Sequence, residues 1–320
     1  MEGVQKSTTY RYFVSFALVL ISLLIGLLVG SFASIAAGTV LCIAKGEGVE
    51  VLALVNNSKD YPNYRTTLLV IQGVYSLFAF LITPYFVVKF LDRFPSPSLN
   101  KIPHSWIFMV FFTLAIVFMY FPLSSYLVVL NQNIEFPEAL SWLEKSLQEK
   151  EGILQEMTLF LTDFESFPQF LLGLVIIAVI PAIGEEYLFR GLIQNRLLLL
   201  SKNVHVAVWV SALIFSGFHM QFYGLLPRMM LGGLFGYLYI WSGSMLIPIV
   251  AHLFNNGFTL SMMYFYRTGE VPINIEETEN VPWEIALLSL VIVIGLMLTF
   301  KKKYALTKPN EISQLEQNNE

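Results

Sequence analysis

Three short polar patterns stand in the apolar second half of this 320-residue chain: Glu185-Glu186-x-x-x-Arg190, Phe215-x-x-x-His219 and His252-x-x-x-Asn256. Ionisable side chains are costly at membrane depth, so a cluster of them marks a functional site. The residue types suit hydrolysis of an amide by activated water. A carboxylate bound to water, with an imidazole beside it, accepts a proton as the water attacks and then passes it to the leaving amine. Glu185 and His219 fit that pair. A second imidazole and a side-chain amide donate hydrogen bonds to the tetrahedral oxyanion, a role that His252 and Asn256 fit. These two are four residues apart and so share one helix face. Glu186 and Arg190 have the same spacing, which suits an ion pair that offsets the burial of both charges and orients Glu185. Arg190 organises rather than reacts, because a guanidinium keeps its proton at ordinary pH. Phe215, one turn before His219, is read as packing around the site.

The elements that must position these groups are membrane helices. Hydrophobic residues make up 56% of the chain and charged residues only 13%, with a mean hydropathy of +0.65, well outside the composition of soluble domains. Apolar runs of about 20 residues, each able to cross roughly 30 Å of hydrocarbon as a helix, recur near Phe13–Ala44, Thr66–Val88, Ser105–Leu130, Pro168–Leu198, Val204–Gln221, Leu225–Trp241, Met245–Tyr266 and Trp283–Phe300. The expected fold is an all-α polytopic bundle of about eight transmembrane helices. The first run is too long for the apolar core of a cleavable signal peptide and is read as a retained span.

Lys6 and Arg11, then Lys89, Arg93 and Lys101, then Arg196 and Lys202, and finally Lys301, Lys302 and Lys303 fall on one side of an eight-span bundle. Acidic stretches around Glu135–Glu165 and Glu270–Glu279 fall on the other. Because positive charge resists translocation, both termini are expected in the cytoplasm. Between the third and fourth spans, Phe136, Leu140, Leu143, Leu147, Leu154, Met157, Leu161 and Phe164 recur at helical intervals among charged residues, which predicts an amphipathic extramembrane helix on the outer face. It lies on the lipid surface or caps the bundle. Ser166 and Pro168 form a helix start. The chain thus divides into a three-span region (1–130), an amphipathic extracytoplasmic segment (131–167), a core holding the three patterns (168–303) and a disordered cytoplasmic tail (304–320). Gly26-x-x-x-Gly30 and Gly232-x-x-x-Gly236 have the spacing that lets membrane helices approach closely. A net charge of −4 and the lack of a basic stripe exclude a nucleic-acid footprint. The single cysteine, Cys42, forms no internal disulfide and no cysteine-based metal site.

The three patterns, in this order and on these spans, resemble the CPBP family of intramembrane proteases, which comprises CAAX-prenyl-protease and bacteriocin-processing enzymes. The resemblance covers roughly Pro168 to Phe265, with all three motifs intact. It implies that Glu185 and His219 activate water while His252 and Asn256 stabilise the oxyanion. It also implies a peptide or membrane-associated protein substrate, in some members a prenylated one, and an endopeptidase that requires no cofactor. The expected location is a bacterial plasma membrane, since no organelle signal is visible, with membrane lipids as neighbours.

Other chemistries draw on the same residues. Glu185, His219 and His252 could supply the mixed ligands of a catalytic zinc, although the His-Glu-x-x-His helix of zinc proteases is absent. Intramembrane Glu, His and Arg also build the proton or ion relays of transporters. A noncatalytic scaffold retaining the fold is the third alternative.

Overall fold

The computed structural model describes residues 2–46, 49–92, 94, 102–272 and 281–305. Arg93, Lys101, most of the Glu270–Glu279 stretch and the tail from residue 306 lie outside the described residues, as do the expectations attached to them. Among the described residues nine long helices follow one another: α1 (Glu2–Lys45), α2 (Pro62–Leu91), α3 (Trp106–Gln132), α4 (Ser141–Thr162), α5 (Phe167–Ser201), α6 (Val204–Phe218), α7 (Leu225–Ser242), α8 (Leu246–Arg267) and α9 (Trp283–Tyr304). Among the described residues there is no strand. The chain is an all-α polytopic membrane protein.

Each expected span is helical, but not all are alike. Among the described residues six helices are long and apolar enough to cross a membrane: α1 from Thr8, α2, α3, α5, α8 and α9. The other two, α6 and α7, fall short by that measure. Helix α6 has only 15 residues, and α7 carries Arg228, three glycines and a proline within its 18 residues. A count based on length and composition is therefore six rather than eight.

Apolar side chains face outward as well as inward. On α9, Leu287, Leu288, Val291, Ile294 and Leu298 are exposed, whereas Ala286, Val293, Met297 and Phe300 are buried against α3, α7 and α8. Exposed apolar helix faces of this kind suit lipid, where the backbone is already satisfied within each helix. Close approach is achieved with small residues. A Cβ on Gly26 would lie 2.6 Å from the carbonyl oxygen of Ala79, and one on Gly30 would lie 2.9 Å from that of Tyr75, so α1 seats against α2 through backbone contact.

Helix α4 rests one face on the bundle. Leu143, Leu147, Leu154 and Met157 are half-buried and Leu161 is buried, while Trp142 and Ile153 are exposed. Its C-terminal end is clamped by Arg65, which donates to the carbonyl of Phe160 and to the carboxylates of Asp163 and Glu165. Arg267 of α8 also pairs with Asp163. The next helix begins as its sequence dictates, with the Ser166 hydroxyl accepting from the Gln169 amide and Pro168 in the first turn.

Candidate active site

Helix α5 carries the first motif and is not uniformly α-helical. Two π-helical stretches, Leu174–Val179 and Tyr187–Gln194, flank an α-helical segment, Ile180–Glu186, that holds both glutamates. Such π segments recur at functional sites because they redirect side chains from the regular helix face. Pro181 contributes a second irregularity. Lacking an N–H, it cannot close the regular bond to the carbonyl of Ile177. The Nδ2 of Asn256 donates to that carbonyl at 3.2 Å.

Glu186 is the hub of the buried network. Its Oε1 accepts from Arg190 Nη1 at 2.7 Å and from His252 Nδ1 at 2.8 Å. All three side chains are at most 5% exposed. A carboxylate only accepts, so His252 donates to Glu186 from Nδ1 and turns Nε2 toward Glu185. That Nε2 lies 3.9 Å from Glu185 Oε2, beyond hydrogen-bond distance. Two adjacent carboxylates therefore bracket one imidazole: one accepts its Nδ1–H and the other faces its second nitrogen across a gap. Both Glu185 Oε2 and Glu186 Oε2 are buried without a hydrogen-bond partner among the described residues.

Arg190 is fixed from the far side by α7. Its Nη2 donates to the carbonyl of Gly232 at 3.2 Å, and one turn further on Gln194 donates to the carbonyl of Gly236. A Cβ on Gly236 would lie 2.6 Å from Gln194 Oε1. The Gly232-x-x-x-Gly236 pattern thus brings α7 close enough for its backbone to receive polar side chains from α5. Phe215 packs at the centre. Its ring lies under the Arg190 guanidinium at 4.5 Å and edge-to-face with Phe189, His219 and His252, at 5.2, 5.0 and 6.0 Å between centroids.

His219 sits at the end of α6, with Nδ1 3.0 Å from the carbonyl of Phe215. A carbonyl only accepts, so Nδ1 is the protonated nitrogen and Nε2 is left with its lone pair. The structure brings Glu185, Glu186, Arg190 and His252 into direct contact or near-contact. Among the described residues, neither His219 nor Asn256 hydrogen-bonds to any of them. His219 is spaced from His252 by the Phe215 ring, and Asn256 is held by Ile177 and by Asn255, whose Nδ2 donates to its Oδ1. No group of three or more His, Cys, Asp and Glu side chains converges as metal ligands among the described residues. Glu185, His219 and His252 accordingly do not form a zinc-ligand set in this structure.

Two further polar residues escaped the sequence reading. Asn131, 2% exposed at the end of α3, accepts from the amide of Leu226 and donates to the carbonyl of Phe222, pinning the loop that follows His219. That loop turns sharply, with Met220 at φ +56°, a conformation uncommon for a side chain of this kind. Arg228 lies one turn into α7, within electrostatic reach of Glu185 and His219. Arg228 had a signal as a lone charge in an apolar run, whereas Asn131 opens a polar Asn-Gln-Asn run that reads as the end of a span.

Residues 167–258 match the family described as type II CAAX prenyl endopeptidase, Rce1-like. Two bacterial relatives cover part of the chain. The membrane-embedded CAAX protease MroQ of Staphylococcus aureus is 30% identical over 89 residues, 26% of this chain and 36% of the relative. The uncharacterized protein YpbD of Bacillus subtilis is 30% identical over 83 residues, 25% of this chain and 39% of the relative. The matched stretch thus spans well under half the length of either relative. No solved structure matches the chain.

Proposed function

We propose that this CAAX-protease-like, multi-pass membrane protein is an intramembrane endopeptidase that hydrolyses peptide bonds with water activated at Glu185. The observation that carries the reading is the bracketing of His252 between Glu186, which accepts its Nδ1–H at 2.8 Å, and Glu185, which faces it across 3.9 Å. The match of residues 167–258 supports the reaction class.

In this mechanism Glu185 takes a proton from water as the water oxygen attacks the scissile carbonyl carbon, with the Nε2 lone pair of His219 accepting the water's other hydrogen. The carbonyl π electrons move onto oxygen, and that oxyanion accepts hydrogen bonds from His252 and from the second N–H of Asn256. The donor on His252 is Nε2–H, its Nδ1–H being held by Glu186. As the tetrahedral centre collapses, the C–N bond breaks and the proton held by Glu185 passes to the leaving nitrogen. Glu186 and Arg190 position His252. No step passes through a metal ion.

The remaining architecture belongs to the same proposal. Helices α6 and α7 cross the membrane with the six longer ones, giving eight spans. They can be shorter and more polar because their glycine and serine faces pack on α5 rather than on lipid; Ser211, for example, donates to the carbonyl of Phe189. Both termini then lie in the cytoplasm of a bacterial plasma membrane. Residues 1–130 supply a three-span flank, 131–167 an extracytoplasmic amphipathic segment, 168–303 the catalytic core and 304–320 a cytoplasmic tail. Substrates are peptides or membrane-associated proteins, with prenylated ones included in the class.

Comparative membrane peptidomics of wild type and Glu185→Gln tests this. We expect a defined set of cleaved peptides to disappear, and their intact precursors to accumulate, at equal protein levels. Identical peptidomes at equal protein levels would contradict the proposal.

A further inference from the structure

Arg228 is a charged residue near the site for which the mechanism has no use. Its guanidinium packs over Gly224, where any Cβ would collide with Nη2, and Nη2 donates to Gln221 Oε1 at 2.7 Å. Its Nη1 is buried and has no hydrogen-bond partner among the described residues. Two carboxylates are within electrostatic reach, Glu185 of α5 and Glu151 of α4, but neither forms an ion pair with it among the described residues. Glu151 instead accepts from the backbone amide of Tyr223, at 3.4 Å. Its place on α4 is unusual: it is four residues from Leu147 and three from Leu154, on the face that rests on the bundle, and it is itself half-buried.

A half-buried guanidinium whose buried Nη1 has an unfilled donor is a site awaiting an acceptor, and the planar fork of arginine matches a carboxylate best. We propose that Arg228, steadied by Gln221, is a recognition subsite for a carboxylate of the substrate beside Glu185, and that Glu151 competes for the same guanidinium. The proposal rests on the peptidase reading for the identity of the ligand as a peptide. The carboxylate comes either from the substrate's C-terminus or from an acidic side chain. It holds the chain in register so that the scissile amide meets the activated water. Glu151 weakens the subsite toward any ligand that cannot outcompete it.

The test uses the full-length protein in detergent micelles and one apolar decapeptide in three forms: free C-terminal carboxylate, C-terminal amide, and C-terminal amide with one internal glutamate. Binding is measured on the Glu185→Gln protein and cleavage on the Glu185-containing protein. One carboxylate form should bind roughly tenfold more tightly than the neutral amide, the scale of one charge-assisted hydrogen bond, and which form does so identifies the source. Added to Glu185→Gln, Arg228→Gln should bring that ratio to about one, Arg228→Lys should restore part of it, and Glu151→Gln should raise it. Equal behaviour of the three forms, including no binding by any of them at millimolar concentration, overturns the subsite, as does a preference that survives Arg228→Gln. Cleavage unaffected by Glu185→Gln would sink the hydrolase reading and leave the binding comparison standing.

Discussion

Two buried ionic clusters in this protein are built from similar residues and differ in what they leave unused. Arg196 of α5 donates through Nε to Ser15 at 2.9 Å, and through Nη2 to Asp92 at 3.1 Å and to the carbonyl of Phe94 at 3.4 Å. Asp92 is equally occupied: Oδ2 also accepts from Ser15 at 2.6 Å, and Oδ1 accepts from the amide of Phe94. Both carboxylate oxygens of this cluster are spoken for. At the other cluster, further along the same helix, Glu186 Oε1 accepts two bonds while Glu186 Oε2 and Glu185 Oε2 are buried and unused. An unmet buried acceptor costs about 1–3 kcal/mol, so a fold keeps such groups where a ligand will meet them. The first cluster ties α1, α2 and α5 together, and the second is the one to which the proposed mechanism assigns chemistry.

That contrast can be broken by substitutions that separate activity from stability. The largest effect on rate short of the glutamate itself is expected for His252→Ala, which removes one donor to the developing oxyanion. Turnover of a peptide substrate should fall on the order of a hundredfold to a thousandfold, measured as kcat per folded molecule. Breaking either buried pair should lower stability by about 3–5 kcal/mol, because the remaining charge is left unpartnered. For Asp92→Ala, thermal unfolding in detergent should show that loss while kcat per folded molecule stays at the wild-type value. For Arg190→Met, stability and kcat should fall together, since Glu186 and His252 lose their anchor. An Asp92→Ala variant with depressed kcat would erase the distinction between the clusters. The smallest effect is expected for Gly236→Ala. Its methyl would meet Gln194 Oε1 and a methyl of Val208 at 2.6 and 3.0 Å, an overpacking of about 1–3 kcal/mol, read as a lower unfolding midpoint.

The two clusters also differ in how much of them the sequence displays. The spans were legible because apolar runs report themselves, and the Glu186–Arg190 pair followed from four-residue spacing on one helix. The pairing of His252 with both glutamates was not, because contact between helices depends on crossing depth and rotation. Spacing along α5 counts it as a regular helix, whereas two π segments and Pro181 reset which side chains face inward. The glycine patterns announced close packing. That the carbonyls of Gly232 and Gly236 would receive Arg190 and Gln194 depended on the register between α5 and α7, which composition does not carry. The Arg196–Asp92–Ser15 cluster joins residues 77 to 181 positions apart, and no local spacing points to it. Arg228 was visible only as a lone charge in apolar surroundings and Asn131 only as part of a polar span end, with nothing local to name their partners.

The central claim is that the open carboxylate at Glu185 activates water while the saturated cluster at Asp92 only supports the fold. The direct measurement is the rate of hydrolysis of one identified peptide by purified Glu185→Gln and Asp92→Asn proteins, each normalised to its folded fraction. The account predicts that Glu185→Gln keeps its unfolding midpoint and loses on the order of a hundredfold or more in rate, while Asp92→Asn loses stability and keeps its rate. Hydrolysis at the wild-type rate by the Glu185→Gln protein would contradict it.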